Sequence, residues 1–244
     1  MKNIKLTIAY QGTAYSGWQV QKNAVSIESK LMEAIQAVIG EDVKVYGSGR
    51  TDAGVHAEGQ IANFKTDATI PPERFCYALN SQLPEDIRVL KSEAVPLTFH
   101  SRYCAKGKIY QYNLLPQVID HPLYHAYSWQ VRYALDLERM RKGAKYFLGN
   151  HDFAGFMSTG SSVKDTIRTI ESLDFVEKGP LWVMTIKGNG FLYNMVRIIA
   201  GTLVEVGYGK IEPEQLTEII NSKNREQAGI TAPARGLILK QVLY

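Results

Sequence analysis

Asp52 follows Arg50 by two positions in GSGRTDAGVHAEGQ, residues 47–60. The run is rich in glycine, which lets another backbone approach closely. A carboxylate and a guanidinium held together in such a place can do nucleophilic or general-base chemistry. The same letters also spell a tight turn, because Asp-Ala-Gly favours one and glycine supplies a positive φ. Two phosphate-binding readings fall away. No Gly-Lys-Ser/Thr follows at the spacing of a Walker A loop, and Asp52 stands where a dinucleotide fingerprint has its third glycine.

A second chemical residue is Arg197, in GFLYNMVRIIAGTLVEVG. At helical spacing Leu192, Met195, Val196, Ile199 and Leu203 form one apolar face, and Phe191 and Ile198 widen it. A helix apolar on nearly all sides is buried. Arginine stays charged there, so it pairs with a carboxylate or reaches out to solvent. The sharper expectation is that Arg197 faces Asp52 across two halves of the chain and holds it ionised.

The third stretch is TFHSRYCAKGKIYQY, residues 98–112. It carries Arg102, Lys106 and Lys108, no acid, and the rings of Phe99, Tyr103, Tyr110 and Tyr112. Cations interleaved with aromatics suit phosphate contacts and base stacking. The stretch equally fits a strand with one buried and one solvated face. Tyr110 and Tyr112 share a face, so one can stack on a base while the other packs. A carboxylate repels phosphates. If this surface binds RNA, Asp52 hinders binding and serves chemistry on a nucleoside instead.

Other combinations carry less. His121 and His125 are four apart, but Pro122 argues against a metal-binding helix, and HExxH and cysteine clusters are absent; no metal is expected. Ser161 to Lys164 matches S-x-x-K without its companion motifs, and no nucleophile elbow occurs.

These residues need a scaffold. The chain has 244 residues, enough for one large domain or two of about 100 each. Its 45% hydrophobic and 21% charged composition is that of a globular protein with a real core. The net charge of +4 permits a polyanionic partner without demanding one. Two cysteines make neither a zinc site nor a disulfide framework, which fits a reduced, cytoplasmic protein. The N-terminus lacks a signal-peptide core, and the apolar stretch at 191–206 is broken by Asn194, Arg197 and Glu205, so no membrane span is expected.

KNIKLTIAY alternates as a strand, and SIESKLMEAIQAVIG is a helix with Ser26 as cap and Gly40 as stop. VKVYG, GQIANFKT and DIRVL read as strands around a helix in PPERFCYALNSQL. Further on, GKIYQYNLL is a strand and DLERMRKGAKYFLG a helix from Asp136 to Gly149. SLDFVEKG and PLWVMTIKG form a hairpin turning at Lys178-Gly179-Pro180. The helix 190–207, a helix in EPEQLTEIINS and the strand GLILKQVLY complete the chain. The expectation is two α+β halves, 1–105 carrying the Asp loop and 106–244 following it, with binding residues on loops 11–24, 116–130 and 151–166.

Six landmarks then fall in order: SGWQVQ at 16–21, GSGRTDAGVHA at 47–57, FHSRYCAKGKIYQY at 99–112, HDFAGF at 151–156, FLYNMVR at 191–197 and APARGL at 232–237. Together they closely resemble the bacterial tRNA pseudouridine synthase A family along nearly the whole chain. Ser101, Lys108 and Gly155 depart from its commonest pattern. The resemblance implies an α+β pseudouridine synthase fold, two α/β halves sharing a mixed, mainly antiparallel sheet with a central cleft. It implies that Asp52 is the catalytic aspartate, Tyr110 the tyrosine packed on the target base, Arg197 the aspartate's basic partner, and Arg50 the residue that displaces and holds the flipped nucleotide. It implies a metal-free and cofactor-free isomerase, a homodimer acting on uridines at positions 38, 39 and 40 of the tRNA anticodon stem-loop. Asp52 then either attacks C1′ or removes a C2′ proton. Two rivals remain at this point: a non-catalytic RNA-binding module, and an aspartate-dependent hydrolase of small nucleosides.

Overall fold

The computed structural model describes residues 1–160 and 163–244. Ser161, the first residue of the S-x-x-K match, lies outside the described residues. The chain divides into two compact units: Met1–Lys106 together with Ile238–Tyr244, and Gly107–Leu237.

In the first unit, strand β1 (Lys2–Tyr10) is the expected alternating strand, with Ile4, Leu6 and Ile8 fully buried. It lies between β3 (His56–Thr66) and β4 (Ile87–Val95), antiparallel to both. Helix α1 (Ile27–Ile39) starts at Ser26, whose side chain accepts the Ser29 N–H, and ends at Gly40 in the left-handed conformation. Its buried residues Ile27, Leu31, Ala34 and Ile35 recur at helical spacing and form one apolar face. A short helix α2 (Phe75–Asn80) follows a 3-10 turn at Pro72–Arg74 and packs Phe75 edge-on against Phe64. VKVYG shortens to the two-residue strand β2 (Tyr46–Gly47), paired with β3 at Asn63 and Ala62. The last strand, β10 (Leu237–Leu243), runs parallel to β3, matching Ile238 with His56 and Leu239 with Ala57. Chain order alone would give that strand to the second half; pairing with β3 brings it into the first unit.

The second unit is built on the antiparallel series β5 (Gly107–Leu115), β9 (Leu181–Gly188), β8 (Ile167–Lys178) and β7 (Gly149–Asp152). The β8–β9 turn falls at the predicted position, with Gly179 at φ 58°. Strand β6 (Trp129–Gln130) joins β5 in parallel. Loop 116–130 therefore contains structure of its own: that strand and the one-turn helix α3 (Pro122–His125). Helix α4 (Leu137–Ala144) is capped by Asp136 as expected. It stops short of Gly149 by tightening into a 3-10 turn at Lys145–Phe147, which seats the buried Phe147 ring edge-on against Phe156. Helix α5 (Met195–Tyr208) is buried on most sides. It starts five residues later than the apolar pattern predicts, because Asn194 takes a left-handed conformation, φ 61°, that a helix interior does not accommodate. Helix α6 (Leu216–Ser222) completes the unit. The class is α+β, with sheets mainly antiparallel and made mixed by the parallel pairs β10–β3 and β6–β5. Among the described residues no helix is long and apolar enough to cross a membrane.

Candidate active site

Asp52 sits between β2 and β3, partly exposed, with Arg50 fully on the surface and Thr51 buried between them. Both neighbours of the turn are tied to the segment that follows β1. The Trp18 N–H donates to the Thr51 carbonyl at 3.1 Å, and the Gly54 N–H donates to the Tyr15 carbonyl at 3.3 Å. Within the turn, the Val55 N–H donates to the Asp52 carbonyl at 3.1 Å. Thr51 Oγ1 also shares a 2.8 Å hydrogen bond with the buried Tyr10 hydroxyl. Burial pushes that phenol far above its usual pKa, with the Thr51 bond pulling weakly the other way, so it stays neutral.

The approach is close enough to require glycine. A Cβ on Gly17 would collide with the Thr51 carbonyl and stand 3.0 Å from the Asp52 carbonyl carbon, and Gly17 has φ +87° besides. The carbonyls of Gly17 and Trp18 in turn accept the Ile27 and Glu28 N–H groups, which begin α1 and have no partner inside the helix. Helix α1 thus holds the 17–18 segment, and that segment holds the backbone on either side of Asp52. Upstream, Gln60 accepts from the Ser48 hydroxyl at 2.6 Å and donates to the Gly49 carbonyl at 3.0 Å. The tight-turn reading of GRTDAGVHA holds, and the turn is fixed from outside by main-chain bonds.

Tyr110 and Arg197 belong to the second unit. Tyr110 lies on β5 opposite Ile186, its ring buried and edge-on to Phe191 with centroids 5.3 Å apart. Tyr112, two residues on, is fully buried and donates from its hydroxyl to the Pro233 carbonyl at 2.7 Å. Its pKa is driven up by burial, against the opposing pull of Arg197 and Arg235. Both tyrosines of that face are packed, Tyr110 against Phe191 and Tyr112 more deeply. Arg197 is half-buried on the first turn of α5. Its Nε donates to the Ala232 carbonyl at 2.8 Å, and one terminal nitrogen donates to Asn194 Oδ1 at 2.7 Å. Asn194, which delays the helix start, also bonds the Ser158 hydroxyl.

Arg235 escaped notice in the sequence. One of its terminal nitrogens lies 3.3 Å from His125 Nε2, and His125 Nδ1 pairs with Asp120, whose carboxyl that bond holds below its ordinary pKa. The signal available was its place in APARGL, whose Pro233 and Gly236 both meet Tyr112. No group of three metal-ligating side chains occurs among the described residues.

The sequence model of a family described as tRNA pseudouridine synthase matches residues 6–104 and 144–244. Proteins named tRNA pseudouridine synthase A from Thermoanaerobacter sp. strain X514 and from Acetivibrio thermocellus are each 48% identical over 244 residues, covering 100% of this chain and of their own. A chain of a crystallised Cbf5-Nop10-Gar1 complex matches 96% of this chain and 57% of its own at 11% identity and a TM-score of 0.38, too distant to carry an argument.

Proposed function

The chain belongs to the tRNA pseudouridine synthase family, and from that premise we propose that Asp52 is the ionised carboxylate with which it isomerises uridine to pseudouridine in tRNA. The N1–C1′ bond breaks, the uracil turns, and C5 joins C1′. One proton leaves C5 and one arrives at N1, so composition is unchanged. The base must leave the helix stack before a side chain reaches its sugar. Asp52 acts on that sugar, by attack at C1′ or by removal of a C2′ proton; both routes need the carboxylate charged.

The observation that carries this reading is the Asp52 turn itself. The partly exposed Asp52 sits on a turn that Trp18 and Tyr15 hold through the main chain, which supports a side chain positioned for chemistry by its backbone. Arg50, exposed beside it, suits the role of displacing and holding the flipped nucleotide. The edge-on packing of Tyr110 with Phe191 supports a ring set to lie against the extruded uracil. Arg197 is the cation proposed to keep the aspartate ionised. We take the targets to be positions 38, 39 and 40 of the anticodon stem-loop, the working form a cytoplasmic homodimer, and the two halves, 1–105 and 106–244, joint contributors to catalysis.

Unmodified tRNA labelled with tritium at C5 of uridine tests the reading, since C5 loses its hydrogen when it bonds to C1′. Tritium release by the wild type and none by Asp52→Asn is the expected result. Free uracil without tritium release would mean a hydrolase, and tight binding with neither product would mean a binding module.

A further inference from the structure

The first unit carries a row of rings that the reaction above does not use. Tyr46 and His100 lie with ring centroids 4.8 Å apart, and His100 and Tyr103 with centroids 4.4 Å apart. A cation stands at each end: Lys44 Nζ is 5.2 Å from the Tyr46 centroid, and the Arg102 guanidinium 5.9 Å from that of Tyr103. Among the described residues no carboxylate bonds Lys44, His100 or Arg102. Ring clusters of this size belong in cores, yet Tyr103 is 77% exposed and both cations are on the surface.

The row is also built rigidly. Asn63 donates to Asn3 Oδ1 at 2.9 Å, and Asn3 donates to the carbonyls of Pro96 and Phe99 at 2.9 and 3.0 Å. The Ser101 N–H donates to Asn63 Oδ1 at 2.9 Å, and the Ser101 hydroxyl donates to the Tyr46 carbonyl. This buried network fixes the backbone on both sides of His100. The imidazole is oriented as well: its Nδ1 accepts the Arg102 N–H at 3.1 Å, which leaves the proton of the neutral ring on Nε2.

We propose that Tyr46, His100 and Tyr103, flanked by Lys44 and Arg102, form a platform that stacks an unpaired base of the RNA substrate and grips the phosphates beside it. The proposal rests on the reading of the chain as acting on tRNA. Every base presents a π-face, so exposed rings give affinity with little dependence on sequence, and cations with no carboxylate partner suit phosphates. The platform ends at Tyr46 on β2, the strand that leads into the turn bearing Asp52.

The test compares dissociation constants and turnover on one unmodified tRNA for the wild type, Tyr103→Ala, Tyr103→Phe, Arg102→Ala and Tyr77→Ala. Tyr77 is the control, an exposed ring with Arg74 over it and, among the described residues, no ring array. Tyr103→Ala should weaken binding about tenfold, with the rate at saturating tRNA and the melting temperature unchanged. Tyr103→Phe should bind as the wild type does. Arg102→Ala should weaken binding and lower the slope of log affinity against log salt by about one. Tyr77→Ala should change nothing. The platform is overturned if Tyr103→Ala binds within twofold of the wild type, if Tyr77→Ala loses as much, or if Tyr103→Ala lowers the melting temperature. A wild type that turns over no tRNA would sink the functional reading alone, and the binding series would still decide the platform.

Discussion

The surroundings of Asp52 and those of Arg197 are held by different means. Next to Asp52 the closest ties are main-chain to main-chain, Trp18 to Thr51 and Tyr15 to Gly54, backed by α1, with the Thr51 hydroxyl's bond to Tyr10 beside them. Around Arg197 more of the ties are side chains, Arg197 to Ala232 and Asn194, Asn194 to Ser158 and Tyr112 to Pro233, added to main-chain bonds from the Ala232 N–H to the Arg197 carbonyl and from the Ser158 N–H to the Tyr193 carbonyl. Asp152 follows the same habit, accepting from the Ala154 N–H and the Thr166 hydroxyl and pairing with Lys223 at 2.7 Å. The difference separates two kinds of sensitivity. Where the backbone holds a residue, its side chain can change chemically while the fold stands. Where side chains do the holding, chemistry and stability change together.

The largest effect sharpens this contrast. Asp52→Asn keeps shape and loses charge, so tritium release should fall by roughly a thousandfold or more while tRNA affinity and melting stay near wild type. A parallel fall in melting temperature would show that the carboxylate also holds the turn. Gly17→Ala attacks the same turn from outside. A methyl group driven against the Thr51 carbonyl at φ +87° should cost about 2–3 kcal/mol in urea unfolding and slow turnover with Asp52 intact. Wild-type stability in that variant would break the claim that the 17–18 segment fixes the loop.

Arg197→Ala should lower activity and stability together, the latter by about 1–3 kcal/mol, because the Ala232 carbonyl loses its Nε donor and Asn194 loses a charged partner. Unchanged melting with reduced activity would put Arg197 in the same class as Asp52. The smallest effect is on pH. The Lys223 bond, then the Thr166 bond, hold the folded Asp152 pKa below its unfolded value. Its contribution is therefore present above about pH 4 and lost as pH falls through the folded pKa. The stability gap between wild type and Asp152→Asn, measured by urea unfolding, should close below about pH 4; a constant gap would mean the carboxylate's charge plays no part.

Local pattern made much of this legible. The alternation of Ile4, Leu6 and Ile8 gives β1 its buried face, Ser26 and Gly40 bound α1, and Lys178-Gly179-Pro180 turns the hairpin. GRTDAGVHA stands out by its residue types, and so did the carboxylate. What escaped was set by partners far along the chain. Nothing local marks Asn194 as left-handed, since its amide reaches back to Ser158, 36 residues away. Nothing in Gly17 announces that it presses on Thr51. Tyr112 looked interchangeable with Tyr110 until Pro233 and Gly236 were brought beside it.

The parallel pairing of β10 with the start of β3 sets an order on manufacture. Between the end of β3 at Thr66 and the start of β10 at Leu237 lie about 170 residues, which a ribosome adds in on the order of 10–30 s. For that interval His56 and Ala57, immediately downstream of the Asp52 turn, present an unpaired strand edge. A nascent chain can therefore form α1 and the Trp18 ties early, yet the flank of its catalytic turn closes only when the final strand has emerged. Unfinished chains stalled before β10 carry the aspartate without the strand that closes the flank of its turn.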